Sequence, residues 1–210
     1  MFFDFDEIDG PNVYKLMTAT VVPRPIAWVV SANEEGRLNA APFSFFGLMS
    51  GDPPIVAVGI SARAGQLKDT SRNLLRHGDF ALNLVSQETM EKMNVTAIEF
   101  GPDVNELDAA GLTTAPGRKI AVPHIAESPV SLECRTEQTV PLGDNRHIIV
   151  ARVLAMHIRD NAVLDAEECY IDTPALNLVG RLHGRGWYGR LTDNVEMPRL
   201  TLEQFTKGQQ

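Results

Sequence analysis

Residues 23–61 read PRPIAWVVSANEEGRLNAAPFSFFGLMSGDPPIVAVGIS. The first run, Pro25–Ala32, is apolar, β-branched and preceded by a proline, which predicts a strand. NEEGRLN after it is polar with a central glycine. Leu38–Phe46 (LNAAPFSFF) reads as a second extended segment, so the two form a hairpin. LMSGDPP then turns the chain into a third strand, Pro53–Ser61, whose near-continuous apolar character predicts burial on both faces. Strands that follow one another through turns this short pair antiparallel; a parallel βαβ unit needs a long crossover.

Downstream segments extend the pattern. KDTSRNLLRHG (68–78) reads as a short helix, with Asp69 or Thr70 to cap its start and Gly78 to end it. DFALNLVS (79–86) is a fourth strand. QETMEKMNVTAIEF (87–100) places Met90, Met93 and Ala97 at helical spacing, and the stretch from Gly101 to Pro123 is loop-rich. VSLECRTEQTV (130–140) alternates: Val130, Leu132, Cys134 and Thr136 face one way, Ser131, Glu133, Arg135 and Glu137 the other. That is the pattern of a half-buried antiparallel strand, on which Cys134 is a buried, inert thiol. GDN supplies a hairpin turn into RHIIVARVLAMHIRD (146–160), a long strand. The expectation is a mainly β chain with a few helices, forming one domain over residues 1–210 whose strands close into an antiparallel barrel.

Composition narrows the function. The 210 residues are 44% hydrophobic and 22% charged, as in an ordinary globular protein. No apolar run approaches the ~20 residues that cross a bilayer. The acidic start MFFDFDEIDGPN lacks the basic-then-apolar order of a signal peptide, so a cytoplasmic location is expected. Cys134 and Cys169 form no CxxC, which argues against a disulfide framework or structural zinc. His77, His124, His147, His157 and His183 share no ligand spacing, so no metal site is expected. A net charge of −8 disfavours a nucleic-acid partner.

Two motifs mislead. GRGWYG (Gly184–Gly189) matches G-x-G-x-x-G, but a dinucleotide fold needs a helix and a returning strand after it, and RLTDNVEMPRLTLEQFTKGQQ cannot supply both. It reads instead as a flexible loop presenting Trp187 and Tyr188. Ser44 sits in F-S-F rather than in the G-x-S-x-G elbow of a hydrolase. KDTSRN (Lys68–Asn73) reads by itself as an ordinary capped helix with a solvated lysine, but a helix start with a hydroxyl and a lysine beside it can also form an anion cradle. Together with the aromatic APFSFFG (Ala41–Gly47), it suits a ligand with a flat ring at one end and a phosphate at the other, the shape of a flavin nucleotide.

The order PRPIAWVVS…GRLNAAPFSFFGLMSGDPPIVAVGIS…KDTSRNLLRHGDFALNLVS strongly resembles the flavin reductase-like, FMN-binding split-barrel proteins. That group includes flavoredoxins and the reductase components of two-component monooxygenases. The resemblance is dense from Val22 to Ser86 and looser as far as NLVGRLHGRGWYGR (Asn177–Arg190). It implies an antiparallel split β-barrel of Greek-key type. The segment matching LNAAPFSFF runs along the flavin ring in such proteins, which implies Asn39, Ala41, Ser44, Phe45 and Phe46 as contacts, chiefly through backbone donors near Ala41, Ser44 and Phe45. The segment matching KDT implies Lys68 and Thr70 as phosphate ligands with Asp69 between them, and Arg24 in PRPI is a further candidate. HGRGWY implies His183 or Tyr188 near the nicotinamide or the ring. The implied reaction is hydride transfer from NADH or NADPH to FMN, with FAD also possible, and onward transfer to an acceptor. Such a step rests on stacking and orientation, so no residue is assigned as a proton-transfer catalyst. The resemblance further implies a homodimer and a partner monooxygenase or redox protein. A flavoredoxin-type carrier without NAD(P)H activity, and a pyridoxamine-phosphate oxidase of the same architecture, are the alternatives.

Overall fold

In the computed structural model, residues 1–62, 65–101, 104–143, 145–184 and 186–207 are described. Expectations that touch Pro102 and Asp103 of the loop, Asp144 of the GDN turn and Arg185 of GRGWYG lie outside them. β1 (Ala27–Ala32) and β2 (Leu38–Phe43) form the expected hairpin, in register from Ala32↔Leu38 to Ala27↔Phe43. Asn33 builds its turn, the carboxamide oxygen accepting from the amides of Glu35 at 3.0 Å and Arg37 at 2.9 Å.

The second extended segment does not run on to Phe46. The chain changes direction at Ser44–Phe45 and begins β3 (Phe46–Gly51), which pairs with β4 (Pro54–Ile60). The turn read in LMSGDPP is therefore confined to Asp52 and Pro53. Along β4, Val56, Val58 and Ile60 are buried while Ile55, Ala57 and Gly59 are half-buried, which corrects the expectation of burial on both faces. Only one side of β4 meets the core. The doubly covered strand is β1, buried throughout Ala27–Ser31.

The remaining strands are β5 (Asp79–Asn83), β6 (Thr114–Ala115), β7 (His124–Ile125), β8 (Val130–Pro141), β9 (His147–Ile158), β10 (Val163–Asp165), β11 (Tyr170–Ile171), β12 (Val179–Arg181) and β13 (Tyr188–Arg190). Seven strands make one sheet in the order β2-β1-β5-β8-β9-β4-β3, every neighbour antiparallel. The expected closed barrel is not reached. Its two edges, β2 and β3, are consecutive in the chain and joined by the Ser44–Phe45 corner, yet they share no ladder among the described residues. Pro42 lacks the amide that a ladder on that edge would use. The curled sheet still encloses a core to which Val29, Phe43, Val56, Phe80, Leu132 and Ile149 contribute from six strands. A second core lies on the outer face of β1 and β5, where Trp28, Val30 and Ala81 pack against Met93, Leu107 and Ile120.

Five α-helices accompany the strands among the described residues: α1 (Gly10–Thr20), α2 (Asp69–His77), α3 (Met90–Val95), α4 (Glu106–Ala109) and α5 (Leu202–Lys207). None is long and apolar enough to cross a membrane. α3 stops before Ala97, so the helix expected over 87–100 is only partly formed, and Thr96–Phe100 is left as an irregular segment. β8 also departs from clean alternation. Val130–Cys134 is buried continuously, and Glu133, expected on the solvent face, is fully buried. The segment 117–122 folds over it. Cys134 is buried as expected, its thiol pushed up to about 12 by burial and the neighbouring Glu133 charge.

Candidate functional site

The register of the first hairpin decides which main-chain groups of β2 are available. The Asn33 amide donates to the Arg37 carbonyl at 3.0 Å. In an antiparallel pair hydrogen-bonded positions alternate, so Asn39, Ala41 and Phe43 turn their main-chain groups toward β1. Ala40 and Pro42 turn theirs outward. Accordingly the Ala40 amide donates to Glu106 Oε2 at 3.2 Å, across the free edge of the strand. The expectation that the Ala41 amide serves a ligand is therefore corrected: it belongs to the β1–β2 ladder.

A cleft of about 610 Å³ runs beside this edge. β2 forms one wall, the start of α2 a second, and Thr96–Phe100 with Glu106 a third. Of the residues singled out in the sequence, Asn39, Ala41, Lys68, Asp69 and Thr70 come together in its lining, although about 30 positions of chain separate the two groups. The Asn39 carboxamide donates to Thr70 Oγ1 at 3.3 Å, and the Lys68 ammonium lies 5.4 Å from the centre of the Phe43 ring.

The helix start is built differently from the expectation. Lys68, not Asp69 or Thr70, holds the N-cap position, and no side chain caps the first turn. Asp69 is directed at Arg72, with which it forms an ion pair, and Thr70 is buried. The first-turn amides therefore have neither intrahelical nor side-chain cap partners, which is the arrangement that receives an anion. Gly78 ends the helix as expected, at φ 77 with its amide on the Leu74 carbonyl.

Ser44, Phe45, Phe46 and Arg24 fall outside this lining, at the corner between β2 and β3. Arg24 is a buried clamp. Its guanidinium donates to the carbonyls of Thr18 at 2.7 Å, Val21 at 2.8 Å and Leu182 at 2.7 Å, and reaches Ser44 Oγ at 3.4 Å. The side chain proposed for phosphate is thus engaged by the end of α1 and by the connection of the β12–β13 hairpin. Phe45 is exposed, its ring 6.2 Å from that of Tyr14, and its carbonyl accepts from the Gly59 amide at 2.6 Å. His183 and Tyr188 are likewise outside the cleft: His183 stacks on Trp187 at 5.6 Å, and Arg181 covers the Tyr188 ring at 4.7 Å. They approach the corner through the Arg24–Leu182 bond.

Sequence reasoning missed Glu106, Arg72 and the Thr96–Phe100 wall. Glu106 lies half-buried in a four-residue helix that carries no periodic signal. Burial raises its pKa most; the Asp69 charge adds to this, while its own amide and that of Ala40 act the other way. A signal for α1 was present: Asp9 ahead of Pro11 is a helix start, and the Asp9 carboxylate accepts from the Asn12 amide at 3.0 Å.

Fold and cleft together define a mainly β, open-barrel protein with a polar cleft at a strand edge. The flavin reductase like domain matches residues 18–178, and the chain belongs to that family. Solved structures agree. Nitrilotriacetate monooxygenase component B from Bacillus cereus is 31% identical, with a TM-score of 0.88 over 94% of this chain and 98% of that one. The 2-nitrobenzoate 2-nitroreductase NbaA of Pseudomonas fluorescens is 30% identical, with a TM-score of 0.88 over 96% and 98%. A Shewanella frigidimarina protein with a split barrel domain shares the fold at 18% identity, with a TM-score of 0.81 over 95% and 100%.

Proposed function

We propose that this chain is an FMN-binding flavoprotein oxidoreductase of the NAD(P)H-dependent flavin reductase type, acting as one domain and as a homodimer in the cytoplasm. The observation that carries the reading is the meeting of Asn39 and Ala41 of β2 with Lys68 and Thr70 at the start of α2 in one cleft. A helix start with open amides beside an ammonium and a hydroxyl suits the phosphate. The strand-edge wall running from it suits a flat ring, and Phe43 under Lys68 ties the two ends together. Ser44, Phe45 and Phe46 flank the ring at the far corner, where Arg24 fixes the Ser44 hydroxyl. His183 and Tyr188 are the residues assigned to the nicotinamide in this reading. When bound, the flavin supplies hydride acceptance from NADH or NADPH and electron delivery onward. The chain's own part is orientation and exclusion of water, which accounts for why no acid–base pair is required. The likeness to a monooxygenase component B supports an acceptor supplied by a partner monooxygenase or redox protein.

The test is spectroscopic. The purified chain should take up FMN, show flavin absorbance, and bleach anaerobically with NADH or NADPH. A protein that takes up neither FMN nor FAD overturns the reading. Uptake with bleaching by neither nucleotide, but by a protein donor, would make it a flavoredoxin-type carrier instead.

A further inference from the structure

Along Asn39–Phe43, the part of β2 beside the cleft, the free edge offers acceptors and no unclaimed amide donor. Across Asn39–Phe43 the outward-pointing residues are Ala40 and Pro42. Proline has no amide. The Ala40 amide is already given to Glu106 Oε2 at 3.2 Å. What remain facing the cleft along that edge are the Pro42 carbonyl and the Glu106 carboxyl, whose residues line it, while Ala40 itself is buried. The other charged side chains there are Lys68, Asp69, Arg72 and Glu99, of which Asp69 and Arg72 pair with each other. A ring carbonyl or bare ring nitrogen set against this wall would face oxygen lone pairs and leave both sides without a partner, which costs binding.

We infer that Glu106 is a specificity-determining residue: by occupying the outward amide of β2 it makes this wall accept rather than donate, so the ring edge placed against it must carry an N–H, which in a flavin is N3–H. The inference rests on the flavin reading proposed above and adds a polarity to it. α4 is the element that delivers Glu106, and Leu107 beside it is buried in the outer core, so the carboxyl is held in place by packing rather than by chance. The consequence is selectivity among flat heterocycles. Rings that turn an N–H to the wall fit it; rings with an acceptor at that position do not.

The polarity has a measurable sign. Acceptors bonded to N3–H, and a nearby carboxylate, both disfavour loss of that proton; amide donors at the same place would favour it. FMN is the probe, because its phosphate has finished titrating well below the alkaline range in which N3–H is lost. An absorbance titration of the FMN complex should show N3–H lost about one pH unit or more above free FMN. Glu106→Ala, which removes the carboxyl and frees the Ala40 amide, should bring it back to the free value or below. Glu106→Gln keeps a partner for Ala40 but drops the charge, and should fall between; it also serves if the alanine variant is unstable. Both variants leave Lys68 and Thr70 unchanged, so a difference between them and the parent protein reports on Glu106. Loss of N3–H in the parent complex at or below the free value overturns the inference and leaves the flavin reading intact. Failure to bind FMN at all overturns the flavin reading, and this inference with it.

Discussion

Arg24 joins three segments that are distant in sequence. Its partners Thr18 and Val21 end α1, Leu182 follows β12 within the late hairpin, and Ser44 sits at the corner between β2 and β3. The Arg24–Leu182 bond spans 158 residues, so nothing local in PRPI could have distinguished this clamp from a phosphate ligand. Arg24→Met would strand three carbonyls, each at about 1–3 kcal/mol, so a loss of about 3 kcal/mol or more is expected in urea unfolding. An unchanged urea midpoint would mean that water satisfies those carbonyls. Arg24→Lys should recover only part of the loss, because an ammonium cannot span the fan of acceptors that a guanidinium does. Lys68 and Thr70 make the opposite case, since the phosphate role proposed for them was read from adjacent residues. Replacing both with alanine should weaken FMN binding at least about tenfold more than riboflavin binding, each charge-assisted bond being worth about 1.5–3 kcal/mol. Equal weakening, measured by fluorescence titration, would place the phosphate elsewhere.

At the scale of elements, legibility followed the range of the interactions. The β1–β2 hairpin was readable because Asn33 and Gly36 form its turn within five residues. The end of α2 was readable because Gly78 acts alone. β3 was not, because what ends β2 is a corner held from outside by Arg24 and by the Gly59 amide on Phe45. Glu133 was misplaced for the same kind of reason: alternation along β8 says outward, but a distant segment covers that side. The Arg118, Lys119 and Ile120 amides donate to its carboxylate at 2.8, 2.6 and 2.9 Å, and His157 Nε2 lies 2.6 Å away. Burial alone would raise its pKa; the Arg118 amide, His157 and the Lys119 and Ile120 amides together outweigh this and hold it at about 2. A carboxyl depressed in the folded state contributes stability that is complete above the ordinary carboxyl range and lost as pH falls toward about 2. Glu133→Gln should therefore cost about 3 kcal/mol at neutral pH and flatten the decline between pH ~4.5 and ~2, read from urea unfolding at several pH values. An unaltered pH profile would exclude Glu133 as the acid-sensitive group. Gly117→Ala should produce a similar defect, because its Cβ would sit 2.6 Å from the Ile120 carbonyl oxygen and 3.0 Å from Glu133 Oε2.

The whole molecule carries an apolar surface that a lone copy leaves wet. Tyr14 and Met17 of α1 adjoin Phe45 through the Tyr14–Phe45 ring contact, and Leu48 and Met49 of β3 are 72% and 59% exposed. β3 is also a sheet edge, and such edges invite pairing unless blunted; here the register slips between Leu48 and Ser50, which bends the edge away from simple strand addition. With a formal charge of −8 per copy, two copies repel at long range, so lasting association has to run through uncharged side chains. The α1–β3 surface meets that condition and borders the Ser44–Phe46 corner of the candidate site. The proposed homodimer should accordingly use it. Light scattering should give twice the 23.1 kDa chain mass for the native protein, and Leu48→Glu combined with Met49→Glu should return it to a single chain mass with the fold retained by circular dichroism. If the corner contributes to the flavin site, the same variant should also lose FMN affinity, while Lys68 and Thr70 remain untouched at the other end of the cleft. A double glutamate variant that stays dimeric would move the interface off this surface, and a native protein of 23.1 kDa in solution would end the homodimer proposal altogether.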